Sequence, residues 1–293
     1  MITPQTKHSE LAKILGVSDL YFKREDLHPY GSHKGRSIPA MIDVKVSKGV
    51  THFAISSSGN AALAAVRYIQ ERNNQKKNIA GDCLSLSIFI GEHMNQKKKK
   101  KLFGEIRDKN ITVTESLRPL QSLFQSKRES LRQSTDPTAL VGYRNFAKEI
   151  ITNTPNISDV FVATSSGTTA QALAEYFAEN KIGVAVHIVQ PVENSPIARV
   201  FDTERRKSEI LIADAIVDKV VHRKDALINA LKKTDGSGWV VSNDEIKEAL
   251  KLLAEKTKIK ASPNGVLGFA GLLRAISKKR KFKGAVVCII TGQ

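Results

Sequence analysis

The chain has 293 residues, 41% of them hydrophobic, and a formal net charge of +17 at pH 7. This length allows one large α/β unit or two small domains with a real core. No run approaches the ~20 apolar residues of a membrane span, and the start, MITPQTKHSELAK, lacks the apolar centre of a secretory signal, so we expect a cytoplasmic protein with no membrane partner.

The positive charge favours encounters with polyanions but defines no function. The densest basic run, NQKKKKKLF at 95–103, is typical of a solvated helix face. No helix-turn-helix, zinc or RNA-recognition pattern accompanies it, so the sequence indicates neither a nucleic-acid partner nor a metal. Cys83 and Cys288 both lie in apolar, strand-like runs, and we expect two buried core thiols.

Strand-like and helix-like segments alternate along the chain. Strands are predicted at LYFKRE, THFAIS, CLSLSIFI and NITVTE, with helices at 34–46, at NAALAAVRYIQERN and in the Lys-rich run to about Asp108. Helical sequence then extends to about Ser134, where TDP breaks it. The remainder predicts helix VGYRNFAKEII, strand DVFVAT, helix TAQALAEYFAEN, strand GVAVHIVQP, helices KEALKLLAEKT and GFAGLLRAI, and strand GAVVCIIT.

Repeated βα units predict an α/β fold with largely parallel, twisted sheets and helices on both faces. Continuously apolar strands such as AVVCII are typical of sheets covered on both sides. The stretch TDPTALVG is the one plausible domain crossing. In such sheets ligands bind beyond the carboxyl ends of the strands.

Three loops that precede helices are rich in small polar residues: YGSHKGRS, AISSSGNAALAA and VATSSGTTAQALAE. The third is a candidate anion site, because the hydroxyls and amides of residues 165–169 meet at a helix start. It is neither a P-loop nor a dinucleotide fingerprint, and its Ser and Thr residues could instead simply cap the helix.

Lys34 stands in the first turn of a predicted helix, where a cation opposes the helix dipole. Two interpretations stay open: an exposed, solvated lysine, or a nucleophilic amine able to form a Schiff base.

Together these loops resemble the pyridoxal-phosphate enzymes of the tryptophan synthase β type (fold type II), which include threonine synthase, cysteine synthase and threonine dehydratase. FKREDLHPYGSHKGRS is similar to the segment of the family that carries the Schiff-base lysine, SSSGNAALAA to its Ser-Gly-Asn loop, ATSSGTTAQAL to its phosphate loop and CIITGQ to its C-terminal landmark. The resemblance implies pyridoxal 5'-phosphate as cofactor and a small amino acid as substrate. The implied roles are an aldimine on Lys34, the substrate carboxylate at Ser57, Ser58, Gly59 and Asn60, the ring hydroxyl at Asn60, the phosphate at Ser165, Ser166, Gly167, Thr168 and Thr169, and the pyridine nitrogen at Thr291.

The resemblance also implies two three-layer domains with the cofactor in the cleft between them. The large domain would comprise 1–41 plus 140–293 and the small, mobile domain 42–139. A homodimer is implied in the same way.

Among the family's reactions, the sequence looks most like threonine synthase, a lyase that makes threonine from O-phosphohomoserine and water. Its leaving phosphate needs a second anion site, with Arg36 or Lys23 as candidates. Cysteine-synthase-like replacement and serine/threonine deamination remain open, since His33 and Gly35 depart from the usual Phe and Asp. An alternative of another class is a basic, non-catalytic nucleic-acid-binding or scaffolding protein on the same fold.

Overall fold

The computed structural model describes residues 1–57, 59–76, 83–207 and 210–292. The chain divides into two compact units, a larger one of Met1–His28 with Tyr143–Gln293 and a smaller one of Pro29–Gly142. Residues 29–41, which the family resemblance assigns to the large domain, belong to the smaller unit, and Lys34 is among them.

Strands and helices alternate along most of the chain. The strands are β1 (Gln5–Lys7), β2 (Leu20–Arg24), β3 (His52–Ser56), β4 (Ser85–Gly91), β5 (Ile111–Ser116), β6 (Glu129–Ser130), β7 (Ile157–Ala163), β8 (Ala185–Pro191), β9 (Ser237–Val241) and β10 (Ala285–Ile290). The helices are α1 (Ser9–Leu15), α2 (Lys34–Val46), α3 (Asn60–Lys76), α4 (Gln96–Glu105), α5 (Pro119–Gln125), α6 (Val141–Thr152), α7 (Thr168–Glu179), α8 (Lys224–Lys233), α9 (Asn243–Thr257) and α10 (Leu267–Ser277).

The sheet of the larger unit has the strand order β1-β2-β10-β7-β8-β9. Its strands pair in parallel, apart from β1, which runs antiparallel to β2. Alternate residues of a strand face opposite sides, and in this sheet both sides are buried. Phe161 and Val189 join residues of α1, α9 and α10 in one cluster, whereas Val160 and Ile188, on the opposite side, are also fully buried. Burial on both faces explains why these strands are apolar throughout.

The sheet of the smaller unit is parallel in its described pairs, in the order β5-β4-β3-β6. Phe53, Ile55 and Leu86 pack in one cluster with Ile38 of α2 and Leu63 of α3. The short helix α5 packs against β3, β4 and β5. The predicted α/β fold with largely parallel sheets is therefore confirmed.

Local chemistry fixes where individual helices begin. The Ser242 hydroxyl accepts from the Glu245 backbone N–H at 3.3 Å, and the Glu245 carboxylate accepts from the Ser242 N–H at 2.8 Å, a capping box that starts α9. Asn95 caps the Lys-rich helix α4 by accepting from the backbone N–H of Lys97 at 2.9 Å. No helix within the described ranges is both long and apolar enough to cross a bilayer.

Two details of the sequence prediction are wrong. The helix expected to reach Ser134 ends at Gln125, because Lys127 has a left-handed φ of 52° and the chain then enters β6. Cys83 is exposed, since β4 begins only at Ser85 and leaves the thiol outside the sheet. Cys288 is buried within β10 as expected.

Candidate active site

Lys34 is the first residue of α2, and hydrogen bonds hold the loop before it. Gly31 has a φ of 88°, and a Cβ there would lie 2.9 Å from Arg67 Nη1. Ser32 is fully buried; its hydroxyl accepts from the Lys34 backbone N–H at 3.3 Å and its carbonyl from the Gly35 N–H at 2.9 Å. The backbone of Lys34 is thus fixed, and the residue is half-buried.

The tyrosine that opens this loop is held in its neutral form. Tyr30 is buried and its hydroxyl donates to the Glu71 carboxylate. Burial is the larger cause and that hydrogen bond the second cause of a pKa of Tyr30 far above its ordinary value. Tyr30 therefore contributes no negative charge to the loop that carries Lys34.

A second segment of the smaller unit supports the first turn of α2. The Ser37 hydroxyl donates to the Ala139 carbonyl at 2.7 Å. Gly142 packs so closely that a Cβ there would lie 1.7 Å from the Arg36 carbonyl oxygen. The sequence did not indicate this supporting role, although a glycine inside the helical pattern LVGYRNFAKEI was a visible signal of close packing.

The Ser-Gly-Asn loop lies at the start of the next helix. Asn60 is the first residue of α3, and the Ser57 hydroxyl accepts from the Gly59 backbone N–H at 3.3 Å. Ser58 lies outside the described residues. Since α2 leads into β3 and α3 follows it, both helices begin at the carboxyl edge of the sheet. Lys34, Ser57, Gly59 and Asn60 therefore share one edge of the smaller unit.

Residues 165–169 link β7 to α7 in the larger unit. Gly167 precedes α7 with a left-handed φ of 86°, and a Cβ there would lie 2.9 Å from Leu227 Cδ2. Thr168 and Thr169 are buried in the first turn, and the first backbone N–H groups of any helix find no acceptor within that helix. This turn offers the amide donors and the positive dipole end that suit a phosphate group.

The hydroxyls of Ser165, Ser166 and Thr168 are engaged in hydrogen bonds within the protein. Ser166 and Thr168 share a hydrogen bond of 2.9 Å between their hydroxyls. The Ser165 hydroxyl donates to Asp218 Oδ2 at 2.6 Å and accepts from the backbone N–H groups of Val217 and Asp218. The sequence did not indicate Asp218, because it lies in a distant stretch without strand or helix periodicity.

Thr291 lies at the same edge of the sheet as this loop. It directly follows β10, which pairs in parallel with β7 in the register Cys288 opposite Phe161. Continuing that register places Thr291 level with Thr164, on strands spaced about 4.8 Å apart. Thr291 is buried, and its hydroxyl donates to the Asn264 carbonyl at 3.4 Å. The larger unit thus brings Thr291 and residues 165–169 together.

One candidate for a second anion site is wrong. Lys23 is fully buried and forms an ion pair with Glu149, and its amine also donates to the Thr3 carbonyl at 2.7 Å. A lysine neutralised in this way cannot receive a leaving phosphate. Arg36, half-buried in the first turn of α2, remains a prediction.

Comparisons with known proteins agree with the fold and with the family resemblance. A family model described as "Pyridoxal-phosphate dependent enzyme" matches residues 2–75 and 88–292. Threonine synthase of Methanocaldococcus jannaschii is 27% identical over 312 residues, covering 99% of this chain and 74% of the relative. The L-serine dehydratase/L-threonine deaminase of Bos taurus is 30% identical over 117 residues, which are 40% of this chain and 35% of that protein. The structure of threonine deaminase isoform 2 from Solanum lycopersicum shares the fold, with a TM-score of 0.81 at 19% identity, covering 99% of this chain and 78% of that one.

Proposed function

Because the chain belongs to the family of pyridoxal-phosphate dependent enzymes, we propose that it is a threonine synthase, which converts O-phosphohomoserine and water to threonine and phosphate. The similarity to a threonine synthase along 99% of the chain carries this proposal. Family membership makes the protein an enzyme and leaves the alternative of a basic, non-catalytic scaffold without support.

Residues of the larger unit would hold the cofactor by its phosphate and its ring nitrogen. The helix-start amides at 165–169 fit a phosphate, and the buried Thr291 hydroxyl fits a ring nitrogen. When bound, pyridoxal phosphate supplies an electron sink for negative charge that develops on the substrate. A neutral hydroxyl at the ring nitrogen suits elimination and replacement better than transamination.

Residues of the smaller unit would hold the substrate and move its protons. The Lys34 amine would anchor the cofactor covalently and then carry protons to and from the substrate carbons. Asn60 would bind the ring hydroxyl, and Ser57, Ser58 and Gly59, with Asn60, would bind the substrate carboxylate at the start of α3. Arg36 is the remaining candidate for the leaving phosphate.

A product screen tests the proposed reaction. The holoenzyme is incubated separately with O-phosphohomoserine, O-acetylserine, serine and threonine, and products are identified by mass spectrometry. We expect O-phosphohomoserine to be the one substrate of the four that is converted, and its products to be threonine and inorganic phosphate. Turnover of the other substrates only would refute the threonine synthase assignment.

The role of Lys34 is tested separately. Borohydride should fix a pyridoxyl group on Lys34 of the wild type, and Lys34→Ala should lose both this adduct and all turnover while keeping its circular dichroism spectrum. Lys48→Ala is the matched control, since Lys48 is an exposed lysine just beyond the end of α2. An active Lys34→Ala variant would show that another group does this chemistry.

A serine/threonine deaminase is the second candidate. It is supported by the 30% identity over 117 residues to the Bos taurus enzyme. In the same screen, a deaminase would release ammonia and a 2-oxo acid from serine or threonine. Cysteine-synthase-like replacement would instead consume O-acetylserine when sulfide is added. A homodimer and a cytoplasmic location complete the proposal; light scattering would test the first and cell fractionation the second.

A further inference from the structure

A segment that the proposed chemistry does not use contacts the loop at 165–169. We name residues 214–218 the strap. Its end meets this loop, because the Ser165 hydroxyl accepts from the backbone N–H groups of Val217 at 3.2 Å and Asp218 at 3.3 Å. The same hydroxyl donates to Asp218 Oδ2 at 2.6 Å. A carboxylate therefore lies directly on the loop proposed for the cofactor phosphate.

The other end of the strap is tied to the neighbourhood of Thr291. The Ala215 N–H donates to Asn264 Oδ1 at 2.9 Å, and Asn264 Nδ2 donates to Asp214 Oδ1 at 2.9 Å. The carbonyl of the same Asn264 accepts from the Thr291 hydroxyl. The strap thus joins the two places where the larger unit would hold the cofactor, at the phosphate and at the pyridine nitrogen.

The strap is anchored at its middle by burial, whereas its Asp218 end is partly exposed and is held by the hydrogen bonds to Ser165. Ile216 is buried, and its carbonyl accepts from Asn194 Nδ2 at 2.9 Å. Val217, by contrast, is 61% exposed, and Asp218 is half-buried. Ile216 belongs to the hydrophobic core, whereas the Asp218 side chain lies outside it, so the carboxylate can rotate away from Ser165 without disturbing that core.

We propose that Asp218 is an internal competitor of the cofactor phosphate, so that pyridoxal phosphate binds only as Asp218 releases Ser165. The proposal rests on the assignment of residues 165–169 to the phosphate. A dianionic phosphate and a carboxylate compete for the same hydroxyl and repel each other across the loop. Asp218 satisfies Ser165 when no phosphate is bound and lowers the affinity of the loop for phosphate monoesters and for free phosphate.

Binding titrations of the apoprotein test this proposal without measuring activity. Dissociation constants are measured for pyridoxal phosphate and for pyridoxal, which lacks the phosphate, and inorganic phosphate is used as a competitor. Asp218→Asn keeps the size of the side chain and removes its charge. We expect the dissociation constant for pyridoxal phosphate to fall about tenfold, the order expected on removing one like charge from a partly exposed site. That for inorganic phosphate should fall in parallel, and that for pyridoxal should not change.

Further variants make the result decisive. Asp214→Asn removes a carboxylate of the same strap that is bonded to Asn264 rather than to Ser165, and it should leave all three constants unchanged. Asp218→Ser should act in the same direction as Asp218→Asn, which guards against a defect peculiar to one side chain.

The outcomes distinguish a failure of the Asp218 proposal from a failure of the phosphate assignment to residues 165–169. Unchanged or weaker phosphate binding in both Asp218 variants overturns the proposal if Thr168→Ala still weakens pyridoxal phosphate binding. If Thr168→Ala and Gly167→Asp also have no effect, the assignment of the phosphate to 165–169 is overturned together with it.

Discussion

Replacing Gly142 with alanine should destabilise the protein, because the new methyl group would collide with the backbone of α2. The Cβ would lie 1.7 Å from the Arg36 carbonyl oxygen and 3.1 Å from Ala40 Cβ. Neither obstacle can rotate away as a long side chain could. Overpacking of this kind costs about 1–3 kcal/mol, and a clash with backbone belongs at the upper end of that range. Since the better helix propensity of alanine returns at most about 1 kcal/mol, we expect a net loss of roughly 2 kcal/mol.

Urea denaturation monitored by circular dichroism measures this loss as a lower midpoint at unchanged slope. Gly104→Ala is the matched control, since Gly104 is also in a helix and a Cβ there meets nothing within 4 Å. It should raise the free energy of unfolding by about 0.5–1 kcal/mol. A Gly142→Ala variant as stable as the wild type would refute the close packing of Gly142 on the first turn of α2.

Two further predictions concern a thiol and a surface carboxylate. Cys83 should react with a thiol reagent in the native protein, whereas Cys288 should react only after unfolding, because burial shields its thiol and raises its pKa. The Cys83→Ser variant should therefore show no reaction in its native state. A reaction of the native variant would contradict the burial of Cys288. Hydrogen bonds from Lys278, the larger effect, and from Arg274 lower the pKa of Glu204 to about 2. The stability that the charged Glu204 contributes is therefore fully present above the ordinary carboxyl pKa and is lost as the pH falls through about 2. Glu204→Gln should therefore be less stable than the wild type at pH 7, and the difference should shrink as the pH falls from about 5 toward 2; a constant difference would exclude a charge effect.

Local patterns predicted the parts of the fold that depend on neighbouring residues. The βα alternation follows from apolar runs and helix starts, so the strands β3, β4, β7 and β10 and the helices after the polar loops were predicted. Two strands were missed: β1, which has only three residues, and β9, which pairs with β8 in a register that places Ser237 opposite His187, far away in the sequence. The single residue Lys127 ended a helix that the composition around it favoured.

In the candidate site, too, the features set by neighbouring residues were predicted and those set by distant residues were not. Motifs placed Lys34, Asn60, residues 165–169 and Thr291 at helix starts or strand ends, where the structure has them. The sequence could not reveal that Lys23 is neutralised by Glu149 or that Asp218 contacts Ser165, because these partners lie 126 and 53 residues away. Contacts of that kind depend on the complete tertiary fold.

The position of β10 governs the order in which the polypeptide can mature on the ribosome. The smaller unit is one continuous stretch, Pro29–Gly142, and its sheet can assemble while synthesis continues. The sheet of the larger unit can be completed only after β10 has been synthesised, because β10 inserts between β2 and β7. Until then the nascent chain carries two unpaired apolar strand borders, which are prone to aggregation. Premature termination after Gly142 but before Ala285 therefore yields a product with a complete smaller unit and a larger unit whose sheet lacks its central strand.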